Sequence, residues 1–332
     1  MGDPAGIGPE IILKSFSKFK DKPWHVIVVG DYSFLKKKAS KLNLPIELKL
    51  SKDISEIVFS PGNLNILDMK NLLTEIPEGK ATREAGKASF EYIKKAVELA
   101  LADEVSAIVT APINKKAISL AGLSYAGHTE MLAELTDTKD YAMMLTGGKI
   151  RVVLVTTHSA LSEVNKFIKR DRIFKTVTLT DNSLKFFGIN KPHIAVVALN
   201  PHAGEGGIFG KEEIEEISPA IEMAKRNGIN VSGPYPADSL FVRAKQGEFD
   251  AVLVMYHDQG LIPVKMEGFG RGVNVTLGLP VIRTSVDHGT AYDIVEKGIA
   301  DTGSLMAALK TAVKLAKSKK KKLLHRRNKG VG

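Results

Sequence analysis

Residues 251–260 read AVLVMYHDQG. Ala251–Met255 is a continuous apolar run with no polar residue alternating into it. A strand with one wet face alternates; a run like this reads as a strand covered on both faces, as in a parallel sheet flanked by helices. It ends abruptly in the polar, glycine-containing YHDQG. The same order recurs upstream. Val152–Thr156 leads into THS, Ile194–Leu199 into NPHAGEGG and Ala107–Thr110 into TAPIN, and Val26–Val29 gives a fifth strand. Segments of helical period lie between them, at Pro9–Phe19, Ala85–Ala102, Glu130–Leu135, Lys211–Arg226 and Ser304–Lys317. The chain therefore reads as an α/β protein with a largely parallel sheet. Ligands in such sheets bind beyond the carboxyl ends of the strands. Four loops of this kind, carrying His, Asn, Asp or Lys, predict one shared site.

A length of 332 residues suits one large domain or two moderate ones. The formal charge of +10 is concentrated at one end, because Lys314–Gly332 holds nine Lys or Arg and no acid. The remaining body carries about +1 and lacks the basic face expected of a nucleic-acid-binding fold. No apolar run approaches the roughly 20 residues that span a bilayer, and no secretory signal opens the chain. The absence of cysteine excludes disulfides, thiolate nucleophiles and sulfur-based metal sites, and fits a reducing, cytoplasmic setting. Any metal must rest on His, Asp, Glu, Asn or water.

Three histidines stand just past strand ends: His158, His202 and His257. Residues so placed can converge on one metal and leave positions open for substrate, although a histidine after a strand also serves as an ordinary turn residue. His25 and His193 begin strands, His325 lies in the tail, and none of these receives a role. His128, in GHTE, precedes an apolar helical stretch. His128 or Thr129 would cap that helix, or the helix start would offer N–H groups to an anion. GDPAGIGPE (2–10), NPHAGEGG (200–207) and GFGRGVN (268–274) are glycine-dense, but none completes G-x-G-x-x-G, and no P-loop is present. Lys265 and Arg283 could hold a phosphate or carboxylate.

Taken together, GDPAGIGPE, TAPINK, GHTE, LNPHAGEGG, PADSLF, MYHDQGLIPVK, GFGRGVN and GLPVIRTSVDHGTA resemble the 4-hydroxythreonine-4-phosphate dehydrogenase family of vitamin B6 biosynthesis. The resemblance runs in order from Gly2 to about Leu309. It implies oxidation of the hydroxyl of 4-phosphooxy-L-threonine with NAD or NADP, followed by decarboxylation to 3-amino-2-oxopropyl phosphate. It implies a divalent metal on His158, His202 and His257, with zinc favoured over magnesium or cobalt by the imidazole donors. Substrate contacts map onto His128, Thr129, Lys265, Asn274 and Arg283. Asp238, Asp258 and Lys265 are the candidate bases. The loop of His288, Gly289, Thr290, Ala291 and Asp293 looks like the adenosine-binding loop of isocitrate and isopropylmalate dehydrogenases.

The implied fold is two α/β/α domains flanking a cleft, residues 1–127 plus 290–332 and residues 128–289. The second would carry most metal and substrate residues. The implied assembly is a homodimer with the active site at the subunit interface, without a membrane or a specific nucleic acid as partner. Family members carry a short apolar strand before GDPAGIGPE, so the natural chain is expected to begin upstream of Met1. Two other activities remain open: the same chemistry on D-threonate or D-erythronate 4-phosphate, and, remotely, acyl transfer on the similar fold of phosphate acyltransferases. The lysine-rich tail is expected to be a disordered, solvated end, with nonspecific polyanion binding as its alternative.

Overall fold

A computed structural model of the chain describes residues 1–72, 75–125 and 127–329, with side chains through Lys321. In chain order the first elements are α1 (Gly8–Phe19), β1 (Ile27–Gly30), α2 (Tyr32–Lys41), β2 (Glu47–Ser51), β3 (Asn63–Asp68), α3 (Arg83–Leu101), β4 (Ile108–Thr110), α4 (Lys115–Leu120) and α5 (His128–Leu135). Next come β5 (Ala142–Gly147), β6 (Ile150–Leu154), α6 (Leu161–Phe167), α7 (Arg170–Phe186), β7 (Ile194–Val197), α8 (Ser218–Arg226), β8 (Val231–Tyr235) and α9 (Ala237–Gln246). The chain closes with β9 (Ala251–Val254), α10 (His257–Gly268), β10 (Val273–Leu277), β11 (Arg283–Val286) and α11 (Gly303–Lys329).

The chain forms two compact units, Met1–Lys139 with Leu279–Val313, and Asp140–Gly278 with the chain from Lys314 onward. These bounds differ from the sequence expectation. Residues 128–139 and 279–289 belong with the first unit, and the tail belongs with the second. The reason is packing. Met131 and Leu132 of α5 share a buried cluster with Ile93 and Val97 of α3, Ile108 of β4 and Val281. β11 pairs in parallel with β4, Arg283 opposite Ile108 and Thr284 opposite Val109.

In the first unit a parallel sheet runs in the order β1-β3-β2, with Val28 opposite Ile66 and Leu48 opposite Leu64. Ile11, Leu13, Phe16, Leu35, Ile66, Tyr92 and Leu305 form its core. Helix starts follow local chemistry: the side chains of Asp31, Thr82 and Asn114 accept from the third N–H onward and cap α2, α3 and α4. At Gly86 a Cβ would lie 1.9 Å from the Ala117 carbonyl oxygen, so glycine is what lets α3 and α4 approach. The amino group of Met1 donates to Val29 O, and burial pushes it down to about 5.

The second unit is built on strands in the order β10-β5-β6-β9-β7-β8. β6, β9, β7 and β8 are mutually parallel, whereas β5 is antiparallel to both β6 and β10. The sheet is thus mixed, because β5 and β6 form a hairpin whose turn has Gly148 at φ +56°. Val152, Leu154, Val197, Val252 and Val254 fill one face against Leu240, Leu261 and Val264.

Two further expectations change. The helix foreseen over Lys211–Arg226 opens with a π-helical turn at Glu213–Ile217 before α8. Pro219 has no N–H to give to the carbonyl four residues back, so the regular ladder cannot run through. The tail is helical through Lys329 rather than disordered from about Lys317. Its Ser318 side chain lies against Gly188, and the Lys319 ammonium lies 5.9 Å from the Phe186 ring centre.

Candidate active site

In the second unit, β6, β9 and β7 are parallel neighbours, so their carboxyl ends share one edge. His158 follows β6, His257 begins α10 after β9, and His202 follows β7. The rings of His158 and His257 are 5.9 Å apart between centres. His257 Nδ1 and Asp258 Oδ1 are 2.7 Å apart, a contact that directs Nε2 outward. His202 sits differently. Its ring lies 6.2 Å from that of Phe209, and its backbone belongs to a run of left-handed residues, from His202 (φ 52°) to Gly206 (φ 67°). Three members of the run, His202, Ala203 and Glu205, are not glycine, and each such residue is disfavoured by about 1–2 kcal/mol. Among the described residues no group of three His, Asp, Glu or Cys side chains comes together within the chain. Within one chain His158 and His257 thus lie side by side, and His202 lies beside Phe209.

That turn has a support the sequence reading did not foresee. Glu213 is 3% exposed, and its carboxylate accepts from Leu199 N (2.8 Å), Asn200 N (2.8 Å) and Asn200 Nδ2 (3.0 Å). Its only sequence signal is a carboxylate shortly after a glycine-rich loop. Of the candidate bases, Asp258 meets His257, while Asp238 and Lys265 are exposed on α9 and α10. Asn274, on β10, has a buried Oδ1 without a hydrogen-bond partner among the described residues.

In the first unit the β4–β11 pairing sets Arg283 beside Thr110. Arg283 is 1% exposed, and its Nη2 and Nε donate to Thr110 Oγ1 at 2.7 and 3.2 Å. Burial pushes its guanidinium down to about 9, with Glu130 opposing that shift. Thr110, His128, Ser285 and His288 border a cavity of about 80 Å³. His128 is buried and held well below the usual imidazole range, first by desolvation and then by the charges of Arg283 and the amino terminus. It donates to the Ala111 backbone, and its Nε2 is buried with no partner among the described residues. The imidazole is thus neutral, with an unfilled ring nitrogen facing a small polar space. The helix α5 begins at His128 behind Gly127, and no side chain caps it. The expected cap by His128 or Thr129 is therefore not made; both are inside the first turn, where the N–H groups stay open.

The loop 288–293 also lies in the first unit. Ile7 N donates to Thr290 O, and Tyr292 OH donates to Asp3 Oδ2 at 2.5 Å. Ala291 is left-handed at φ 44°, and Gly289 and Asp293 are exposed. Asp3 and Tyr292 were not among the expected site residues, yet they tie this loop to GDPAGIG. Burial raises both, the Tyr292 phenol and the Asp3 carboxyl. No helix among the described residues is long and apolar enough to cross a membrane.

Residues 22–312 match the profile of pyridoxal phosphate biosynthetic protein PdxA. The chain is 49% identical to 4-hydroxythreonine-4-phosphate dehydrogenase of Desulfosudis oleivorans, over 94% of each chain. It is 45% identical to D-threonate 4-phosphate dehydrogenase of Salmonella typhimurium, over 95% of this chain and 97% of that one. The crystal structure of Klebsiella pneumoniae 4-hydroxythreonine-4-phosphate dehydrogenase is 43% identical and superposes with a TM-score of 0.88, covering 95% of this chain and 98% of that one.

Proposed function

The chain belongs to the pyridoxal phosphate biosynthetic protein PdxA family, and on that premise we propose that it oxidises 4-phosphooxy-L-threonine with NAD or NADP. The product, 2-amino-3-oxo-4-phosphooxybutanoate, then loses CO2 to give 3-amino-2-oxopropyl phosphate. The observation that carries this reading is a neutral His128 bordering one small polar cavity, with the buried Arg283 guanidinium hydrogen-bonded to Thr110, which borders the same cavity. A buried guanidinium calls for an anion, and a phosphate or carboxylate accepts from it in two places. A neutral imidazole with an unfilled nitrogen takes a hydrogen bond from a substrate hydroxyl. Thr129, Lys265 and Asn274 would add donors, and the open N–H groups at the start of α5 favour negative charge.

The donors on the second unit fit a divalent ion. His158 and His257 are adjacent imidazoles, and the Asp258 contact orients His257 as a ligand. His158, His202 and His257 would hold the ion, zinc being favoured by the nitrogen donors over magnesium or cobalt. When bound, such an ion lowers the pKa of the substrate hydroxyl and polarises the ketone that follows. Asp238, Asp258 or Lys265 would take the proton, and the loop of His288, Gly289, Thr290, Ala291 and Asp293 would hold the nicotinamide, which when bound supplies the hydride acceptor. A second copy of the chain would supply the third histidine and cover Ile262 (58% exposed), Met266 (81%) and Phe269 (90%).

D-threonate 4-phosphate is the second reading, because relatives of both names stand at nearly equal identity. Turnover of both substrates with NAD and with NADP, before and after chelation and zinc return, decides between them. Faster turnover of threonate phosphate would overturn the first reading, and chelator-insensitive turnover would overturn the metal.

A further inference from the structure

β4 and β11 run in parallel with Arg283 opposite Ile108 and Ser285 opposite Thr110. The Arg283 guanidinium nevertheless meets Thr110, two residues further along β4. Two residues of parallel strand advance about 6.6 Å, so the side chain lies along the sheet toward its carboxyl end. There Thr110, the last residue of β4, borders the small cavity with Ala111, Pro112, His128 and His288. Both bonds end on one atom. Nη2 (2.7 Å) and Nε (3.2 Å) donate to Thr110 Oγ1. These two nitrogens form one edge of a planar, rigid fork, so a single oxygen fixes how far the guanidinium reaches and how its plane is turned. The oxygen is itself held in place. Thr110 is 6% exposed, and a β-branched side chain on a strand has little freedom about χ1. Arg283 has a further contact as well.

We propose that Thr110 is a positioning residue: by taking the Nε–Nη2 edge of Arg283 it holds the guanidinium at the carboxyl end of β4, and so sets the affinity for the anionic substrate rather than the rate of the chemical step. This rests on Arg283 being the residue that holds the substrate's anion. The plain alternative is that Thr110 does no more than satisfy a buried cation, which the charge of Glu130 also favours. The two roles part at the hydroxyl. Serine keeps Oγ and loses only a methyl group. Valine keeps the shape of threonine but cannot accept, so the edge must find another partner and the guanidinium shifts. Alanine leaves room for a water that accepts in place of the hydroxyl without fixing the fork.

The variants T110S, T110V and T110A, made in the full chain, separate the two roles. Calorimetry gives the dissociation constant of inorganic phosphate, steady-state kinetics with 4-phosphooxy-L-threonine gives kcat and KM, and urea denaturation tests the fold. T110S should stay within about threefold of wild type in every constant. In T110V and T110A the phosphate dissociation constant and KM should rise about 10–100-fold while kcat stays within about threefold, because a displaced cation weakens binding of ground state and transition state alike. A folded T110A that binds phosphate within about twofold of wild type would overturn the proposal. T110S as weak as T110V would overturn it too, since the methyl group would then be what matters. If neither T110V nor T110A folds, the role is structural and the proposal falls. Arg283→Met tests the reading beneath it: phosphate binding by that variant equal to wild type would remove the anion site itself, and the proposal with it.

Discussion

Replacing Arg283 by Met removes the buried cation while keeping much of its volume. In the folded chain burial pushes this guanidinium from its ordinary range down to about 9. At about 1.4 kcal/mol per tenfold change in proton affinity, the free protein carries a cost of roughly 5 kcal/mol. The sign follows from linkage. Below pH 9 both folded and unfolded chains hold the proton, so the cost is constant and fully present at neutral pH. Against it stand its interactions in the fold, the two bonds to Thr110 together worth about 1–3 kcal/mol and a further contact beside them. Arg283→Met should therefore leave the ligand-free protein as stable as wild type or about 1–2 kcal/mol more stable, as exchanging buried charge for apolar volume often does. Activity should move the other way. Two charge-assisted bonds to an anionic substrate, about 1.5–3 kcal/mol each, amount to a loss of about 10²–10⁴ in kcat/KM. Urea denaturation without ligand and steady-state kinetics read the two halves separately. A variant destabilised by more than about 2 kcal/mol, with kcat/KM within fivefold of wild type, would refute the reasoning and make Arg283 a structural residue.

Three other outcomes are expected. His128 stays neutral in the fold while the unfolded chain takes up a proton below about 6.5, so stability should fall by up to about 1.4 kcal/mol per pH unit below that point. His128→Gln should flatten this slope in urea titrations at pH 7, 6 and 5, and equal slopes would contradict the buried neutral imidazole. Glu213→Ala leaves the N–H groups of Leu199 and Asn200 without their acceptor and should cost about 2–4 kcal/mol by chemical denaturation. A loss below about 0.5 kcal/mol would show that water replaces the carboxylate freely. Met266→Glu, on a side chain 81% exposed, should convert the proposed dimer to monomers in sedimentation, whereas an undisturbed assembly would place the interface elsewhere.

The strands easiest to read were those buried on both faces: Ala251–Val254 and Ile194–Val197 are apolar at every position. β2 escaped notice because Glu47–Ser51 is a short, mostly exposed edge strand with no continuous apolar run, although Glu47–Leu50 alternates polar and apolar. β5 was missed because a largely parallel reading looked for strands between helices and not for a hairpin. The histidines after strands were legible because loop position follows from strand position. The direction each ring takes was not, since it depends on backbone angles, and nothing in the letters of His202 or Ala203 announces a left-handed residue. Glu213 was invisible for a related reason. Its partners are backbone groups of another segment, and such bonds leave no periodic trace in sequence.

The first unit is discontinuous in the chain, and this bears on how the protein is made. β4 leaves the ribosome long before β11, and Thr110 waits 173 residues for Arg283. In that interval the whole of 140–278 emerges and is free to close its own sheet. Emergence during synthesis thus favours assembling the histidine-bearing strand ends first and the Thr110–Arg283 contact last. Chains arrested shortly after Gly278 should already carry the first and lack the second. A nascent chain would then acquire the proposed anion site only within the final stretch of translation.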